Sequence, residues 1–435
     1  MAATVKQLTQ VQLAKEYLGQ HTEDTMYARN SWYRYLDGVW TATHDQIISH
    51  EIWTLMERWE NVGQLRANLT TKGGILDKLR ASLFVPHDKV DELSNLINMA
   101  NGVYSLDDDR LYPHDPGYHF TTQLPFAYDQ NAAAPLWQKY LITTLVQPRT
   151  TTFDPELHDF LQEAIGYSLT TDVSYHISFY CRGEGENGKG VLFHILYKLG
   201  GSAAIALNIG TLKRERYQLA TLFGKKIAIC SESNSTDNLV EDADVKSLIA
   251  GDLMPVRMIH REPLTLNPKV KLWWSMNDLP PVADTSHGFW RRVRVIPFNR
   301  IFDGADRDMY LKEKLESELS GIFNWAMAGL RRLRQKGAFT QPEQVSDATL
   351  KYRRESNPVQ AFVDDMCIVG PTFEYKSSDA YHEYHGWCKA NGYKPLSDRN
   401  FKREMERLKF YYTRRSHPCR RVFDGLRPVE PIDLI

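Results

Sequence analysis

An α/β fold is predicted for the middle of this 435-residue chain, between a mixed α+β N-terminal domain and a small C-terminal winged-helix-like domain. Three observations predict it. From Val173 onward, β-prone runs alternate with helical ones, the pattern of a sheet with covering helices. A glycine-rich loop ending in a lysine joins one such run to a helix. Near the C-terminus a helical stripe is followed by a basic hairpin pattern.

The chain is too long for one ordinary core, and the composition suggests three parts: 1–150, 151–335, and 336–435 with a linker at its start. Charged residues make up 25% and apolar ones 42%, the balance of a globular protein. No apolar run of about eighteen residues occurs and the N-terminus is polar, so a cytoplasmic location without a membrane partner is expected. Five cysteines stand at 181, 230, 367, 388 and 419 without a CxxC pair, which excludes a zinc ribbon and a disulfide framework. Net charge is −1, yet 395–427 holds ten Lys/Arg against four Asp/Glu, so a local basic face exists for a polyanion.

In the first part, Asp37-Gly38 between Ser31–Tyr35 and Val39-Trp40 predicts a two-residue hairpin, because a type I′ turn needs positive φ at both centres. Trp32, Tyr33, Tyr35 and Trp40 could stack on bases, but filling a small core is the favoured reading. Asp107-Asp108-Asp109 sits in the turn of a second hairpin over 102–111 and reads as a solvated turn, leaving no primase centre.

Gly183-Glu184-Gly185-Glu186-Asn187-Gly188-Lys189-Gly190 lies between a β-rich run and Val191–Leu196. Glycines let backbone amides turn toward a triphosphate, the helix N-terminus adds its dipole, and Lys189 reaches the outer phosphates. Gly190 stands where a Ser or Thr hydroxyl commonly ligates Mg²⁺. The ion would then rely on phosphate oxygens, water and a carboxylate elsewhere. Glu232, closing the strand Lys225–Glu232 and 43 residues beyond Lys189, supplies that carboxylate and can polarise the attacking water. A third strand, Val270–Met276, ends in Asn277, whose amide can hold that water. In Phe289–Phe298, Arg291 or Arg292 can reach a neighbouring subunit's nucleotide.

These segments resemble the superfamily 3 helicase module of phage and plasmid primase–helicases and of the poxvirus nucleoside triphosphatase. The likeness rests on the loop Gly183–Gly190, on Ser231-Glu232, on Met276–Pro280 and on Trp290–Phe298, in that order. It extends upstream through Asn101–Val103, Pro113–Pro116 and Leu161–Thr170. The resemblance implies an AAA+-like core with a shortened sheet, a homo-hexamer around single-stranded or forked DNA, and replication in a phage or mobile element. ATP with Mg²⁺ would lie between subunits, with Gly183, Gly185, Glu186, Asn187, Gly188, Lys189, Gly190, Glu232 and Asn277 on one side. Arg291 or Arg292 would approach from the other, and a primase or polymerase partner is implied.

Helix Leu239–Ala250, stopped by Gly251, leads into a hairpin over Asp252–Lys269. In the family this hairpin grips the DNA backbone, which here would fall to Arg257, His260 and Arg261. In the C-terminal unit, Ser397 can cap a helix with Phe401, Met405 and Leu408 on its core face, leaving Lys402 and Arg403 for DNA. His382, His385 and Cys388 alternate with Tyr381, Tyr384 and Trp387 and read as packing rather than zinc ligands. Rival readings are a packaging motor, a small-molecule kinase, and an initiator or loader with a weakened ATP site.

Overall fold

The computed structural model describes residues 8–208, 216–230, 243–256, 263–277, 279, 287–303, 308–393, 395–416 and 419–429. Its contacts fall into two units. One takes in residues 1–235, 243–278 and 296–345, the other 236–242, 279–295 and 346–435.

The larger unit opens on helix Gln10–His21, whose N-terminus is closed by a reciprocal capping box between Thr9 and Gln12. Strands β1 (Thr25–Ala28), β2 (Ser31–Leu36) and β3 (Val39–Thr43) form an antiparallel meander. Asp37 and Gly38 have φ of 49° and 82°, the type I′ geometry expected of an aspartate–glycine turn. Trp32, Tyr33 and Trp40 are buried; Trp32 packs on Ile48, Ile52 and Leu79 of the following helices, Asp45–Asn61 and Leu69–Ser82. These rings therefore fill a core and offer no stacking face. A second meander, β4 (Leu96–Met99), β5 (Gly102–Ser105) and β6 (Leu111–Tyr112), turns through the acidic triplet. There Asp107 accepts from Asn95 Nδ2 at 2.6 Å and Asp109 from Arg331 Nη1 at 2.6 Å.

The central sheet is built from β7 (Ser178–Arg182), β8 (Ala204–Leu207), β9 (Ile227–Cys230), β12 (Lys271–Met276) and β13 (Val293–Pro297), in the order β13-β7-β12-β9-β8. Between β9 and β12 lie the short antiparallel pair β10 (Met254–Val256) and β11 (Leu264–Leu266). Pairs β7/β12, β12/β9 and β9/β8 are parallel, and most of their residues are buried, as a sheet covered on both faces requires. Parallel pairing brings the C-terminal ends of β7, β12 and β9 to one edge.

Two helices, Pro155–Ser168 and Leu319–Lys336, cross at mutual glycines. A side chain on Gly166 would overlap the Ala326 carbonyl, and one on Gly329 would meet the Gln162 backbone at 2.5 Å. Beside this crossing the fully buried Glu163 carboxylate accepts from Arg332 Nε at 2.7 Å, Thr340 N at 2.7 Å and Thr340 Oγ1 at 2.9 Å. Its charge is thus paired and its lone pairs filled, the condition for burying it.

The stretch expected to be a polar linker contains helix Glu343–Glu355, and the division between the two units falls within it. Its apolar contacts are sparse but lie on one face: Val345 and Tyr352, seven residues apart, are both buried. In the second unit Tyr352 packs edge-on against Trp290 at 5.2 Å, and Thr349 Oγ1 accepts from Val295 N at 3.0 Å.

That unit continues with helices Pro358–Met366, Ser377–Ala390 and Asp398–Arg407 and an antiparallel sheet. Its strands β14 (Cys367–Lys376), β15 (Tyr412–Ser416) and β16 (Cys419–Pro428) stand in the order β14-β16-β15. Phe362, Tyr384, Phe401 and Phe423 fill the core, with Tyr384 stacked on Phe401 at 4.6 Å. Tyr384 and Cys388 are fully buried in that cluster, whereas His382 is exposed and His385 half-buried. Among the described residues no helix is long and apolar enough to cross a membrane.

Candidate functional site

The glycine-rich loop leaves β7 at the sheet edge and enters helix Lys189–Gly200. Its conformation is left-handed at two points, Glu186 (φ 59°) and Gly188 (φ 86°). At Gly188 the requirement for glycine is steric as well, since a Cβ would stand 3.1 Å from Thr144 Cγ2 and 3.3 Å from the Tyr140 ring. The loop is tied down along its length. Phe298 N donates to Arg182 O and Phe302 N to Glu186 O, both at 2.8 Å, and Tyr140 Oη donates to Gly188 O at 3.2 Å. Asn187 is buried; its Nδ2 donates to Glu184 O, and its Oδ1 accepts from Lys189 N at 3.2 Å. Asn187 therefore shapes the loop from inside, while Glu184, Gly185 and Glu186 are exposed.

Lys189 is only 6% exposed. Its ammonium donates to Gly183 O, to Met276 O at 2.7 Å and to Asn277 Oδ1 at 3.1 Å. The loop lysine and the residue after β12 thus meet, as the parallel register Arg182↔Met276 dictates. Behind them Cys181 is fully buried, and burial pushes its thiol pKa up despite the nearby Lys189 charge. It is a packing residue. Glu232 follows β9 by two positions and lies outside the described residues, so nothing is added to its role. Gly190 is exposed, and a Cβ there would find only Lys312 Nζ, at 4.0 Å.

Arg291 and Arg292 belong to the second unit. Arg291 is exposed, whereas Arg292 donates through Nη1 to Gly288 O in its own turn. The two candidates are therefore unequal, with Arg291 the one presented outward.

For the hairpin, β10 and β11 pair antiparallel with Met254↔Leu266 and Val256↔Leu264, so its base is formed. Arg257, His260 and Arg261 lie outside the described residues. On the C-terminal helix, Ser397 caps as expected and Phe401 and Met405 face the core. Arg403 is exposed, but Lys402 donates to Asp398 Oδ2 at 2.6 Å. Tyr412, which sequence reasoning left aside, gathers this surface: Lys402 Nζ lies 5.2 Å over its ring and Arg421 donates to its hydroxyl at 3.3 Å. Arg415 and Arg420 are occupied with Glu374, at 2.6 and 3.0 Å. Because β-strand side chains alternate, Arg414 and Arg421 fall on the opposite face from that pair, with Tyr412.

Three family models match the chain in sequence. One described as D5 N terminal like covers residues 12–146, a family of unknown function, DUF5906, covers 181–292, and one described as Poxvirus D5 protein-like covers 354–416. In two of its segments the chain is thus similar to the D5 models.

The chain is 23% identical over 354 residues to a protein of Acanthamoeba polyphaga mimivirus and 27% identical over 235 residues to one of Frog virus 3. It is 22% identical over 364 residues to one of Invertebrate iridescent virus 3, and all three bear the name “Putative helicase”. The matches take in 74%, 48% and 74% of this chain but 36%, 24% and 38% of those relatives. The chain thus spans about a third of their length. Among solved structures, an apo form of the NrS-1 C terminal region is similar over 97% of this chain and 100% of that one, with TM-score 0.55 and 11% identity. A further apo structure of that region gives TM-score 0.52 at 9% identity. At such identity the likeness speaks for the fold alone.

Proposed function

We propose that the chain is an ATP-hydrolysing DNA helicase motor of the superfamily 3 type, with an AAA+-like P-loop core. One observation carries the reading: the Lys189 ammonium, at the mouth of a glycine loop, touches Asn277 at the end of the neighbouring parallel strand. A P-loop ATPase needs that juxtaposition, since the lysine must reach the outer phosphates and the polar strand end must face the attacking water. The relatives named as helicases support it, as do the sequence matches to the D5 models.

In this reading the backbone of Gly183–Gly190 cradles the phosphates, with Gly183, Gly185, Glu186, Asn187, Gly188 and Gly190 forming the cradle around Lys189. Lys189 exchanges carbonyl acceptors for phosphate oxygens when ATP enters. Asn277 orients water, Glu232 polarises it, and Arg291 stabilises transition-state charge in a neighbouring subunit's site. Mg²⁺, when bound, neutralises charge on the phosphates. Glu232, with phosphate oxygens and water, would hold that ion, since Gly190 has no side-chain oxygen to offer. Gly190→Ser is expected to fold normally, given the open space, and to reach half-maximal ATP turnover at a lower Mg²⁺ concentration. A Mg²⁺ titration of both proteins checks it.

Domains 1–150, 151–335 and 336–435 are proposed as an N-terminal module, the motor and a winged-helix-like DNA module. The hairpin bearing Arg257, His260 and Arg261 is proposed to contact single-stranded DNA inside a homo-hexameric ring, and Lys402 and Arg403 to contact duplex at the fork. Phosphate contacts release counterions, so Arg403→Ala is expected to reduce the slope of log affinity against log salt by about one. Lys402→Ala, whose charge is already shared with Asp398, is expected to change it less; fluorescence anisotropy across a salt series measures both. A replicative role in a virus or mobile element, with a primase or polymerase partner in the host cytoplasm, completes the proposal. A strand-displacement assay on tailed duplexes tests it: ATP-dependent separation is expected, and turnover without separation would favour a packaging motor or loader.

A further inference from the structure

Three lysines are buried among the described residues, and they are not alike. Lys189 has three acceptors at the loop. Lys271, 1% exposed in β12, donates to Thr170 O, to Lys269 O at 3.1 Å and to Asp172 O at 3.2 Å. Lys226, 6% exposed at the start of β9, has no side-chain hydrogen bond or ion pair among the described residues. It lines a cavity of about 150 Å³ within the larger unit, at the edge of the sheet opposite the glycine loop.

The one buried carboxylate in that wall does not serve it. Asp91 is 8% exposed and is filled by Arg29 Nη1 at 3.0 Å, Thr121 N at 2.7 Å and Thr121 Oγ1 at 2.5 Å. Arg29 and Asp91 are paired with each other, so among the described residues Lys226 is the buried cation left without a hydrogen-bonded counter-charge. Lys225 and Lys269 stand at the same wall, the first donating to Ser202 O and the second 3.8 Å from the exposed Glu92. Burial brings the Lys226 pKa down to about 8, with Asp91 opposing the shift. A buried cation without an acceptor disfavours the fold, and an apolar side chain would avoid that cost.

We infer that this cavity is an anion site, in which Lys226 receives a single phosphate group at the base of the β10–β11 hairpin. Its volume is below the roughly 300–1,000 Å³ of sites that enclose whole small molecules, so it takes one phosphate group rather than a complete nucleotide. Thr265 and Asn267 of the β11 end line its mouth and offer polar atoms to a tetrahedral anion. The phosphate can be free orthophosphate or a diester of a nucleic-acid strand. Only the second rests on the proposed DNA motor, so the two are tested apart.

The test is amine-reactive footprinting of the intact wild-type chain at pH 8, read residue by residue by mass spectrometry. It is run with orthophosphate, with a single-stranded oligonucleotide, and with chloride at matched ionic strength. Lys226 modification is expected to fall at least several-fold with orthophosphate if the site takes the free anion, and with the oligonucleotide if it takes a strand. Lys226→Met is expected to melt at a higher temperature than wild type and to lose the matching affinity in calorimetric titration by about tenfold or more. Protection of Lys226 by neither anion would overturn the site, whatever the variant does. Protection by orthophosphate alone would keep the site and remove its link to nucleic acid.

Discussion

Replacing Lys189 by alanine is expected to lower ATP turnover by at least about 10²–10³-fold, the scale set when one preorganised electrostatic contact to a transition state is removed. Folding should survive. The change leaves the carbonyls of Gly183 and Met276 without this donor, at a cost of about 1–3 kcal/mol each if they stay dry. It also removes a buried cation, which offsets part of that cost. Steady-state phosphate release, with a melting curve of the same sample, separates lost chemistry from lost fold. Turnover near the wild-type rate in folded Lys189→Ala protein would remove the site assignment.

The second large effect concerns Arg291. Its exposure, against the self-bonded Arg292, makes it the better candidate to act across a subunit boundary. Arg291→Ala is expected to lose on the order of 10³-fold in turnover, as arginine fingers do, while still binding nucleotide. Arg292→Ala should act mainly on stability, because its guanidinium closes the turn at Gly288. A mixing experiment decides the trans geometry. Lys189→Ala and Arg291→Ala proteins, each inactive alone, should regain part of the activity when combined, since some shared sites then hold both intact residues. If the mixture assembles and gains nothing, Arg291 does not work in trans.

Much of this arrangement was legible in the residues because local chemistry dictated it. Asp37-Gly38 announces a type I′ turn, and the pairing Leu36↔Val39 is its consequence. Gly188 and Lys189 announce a strand–loop–helix, and a parallel sheet then has to bring Lys189 near the end of the neighbouring strand at Asn277. What was not legible depends on distant partners. Tyr140 holds Gly188 from 48 residues away in sequence, and no spacing rule reports that. Gly166 and Gly329 matter because two backbones meet there, a fact that belongs to the helix pair. The Glu343–Glu355 helix is hard to see in the sequence because few apolar residues, Val345 and Tyr352 foremost, mark its buried face among many charges. Lys226 is read in the sequence only as part of the strand that starts at Lys225, and its isolation is visible only once Asp91 is seen to be engaged elsewhere.

The DNA-facing assignments differ in how far geometry carries them. The hairpin's base is formed by β10 and β11, and its cationic residues are placed there by sequence and resemblance. The C-terminal surface has more on its side: Lys402 and Arg421 converge on Tyr412, giving cations and a ring within reach of one another. Such a patch suits a phosphate backbone and a base face together.

The central claim is that this chain converts ATP cleavage into work on a nucleic-acid strand. Its most direct test is phosphate release by the purified wild-type chain with Mg²⁺, measured without and with single-stranded DNA. Hydrolysis that rises several-fold on adding the strand is the expected result. A folded protein that cleaves no ATP in either condition, or whose rate ignores DNA at saturating concentration, would contradict it.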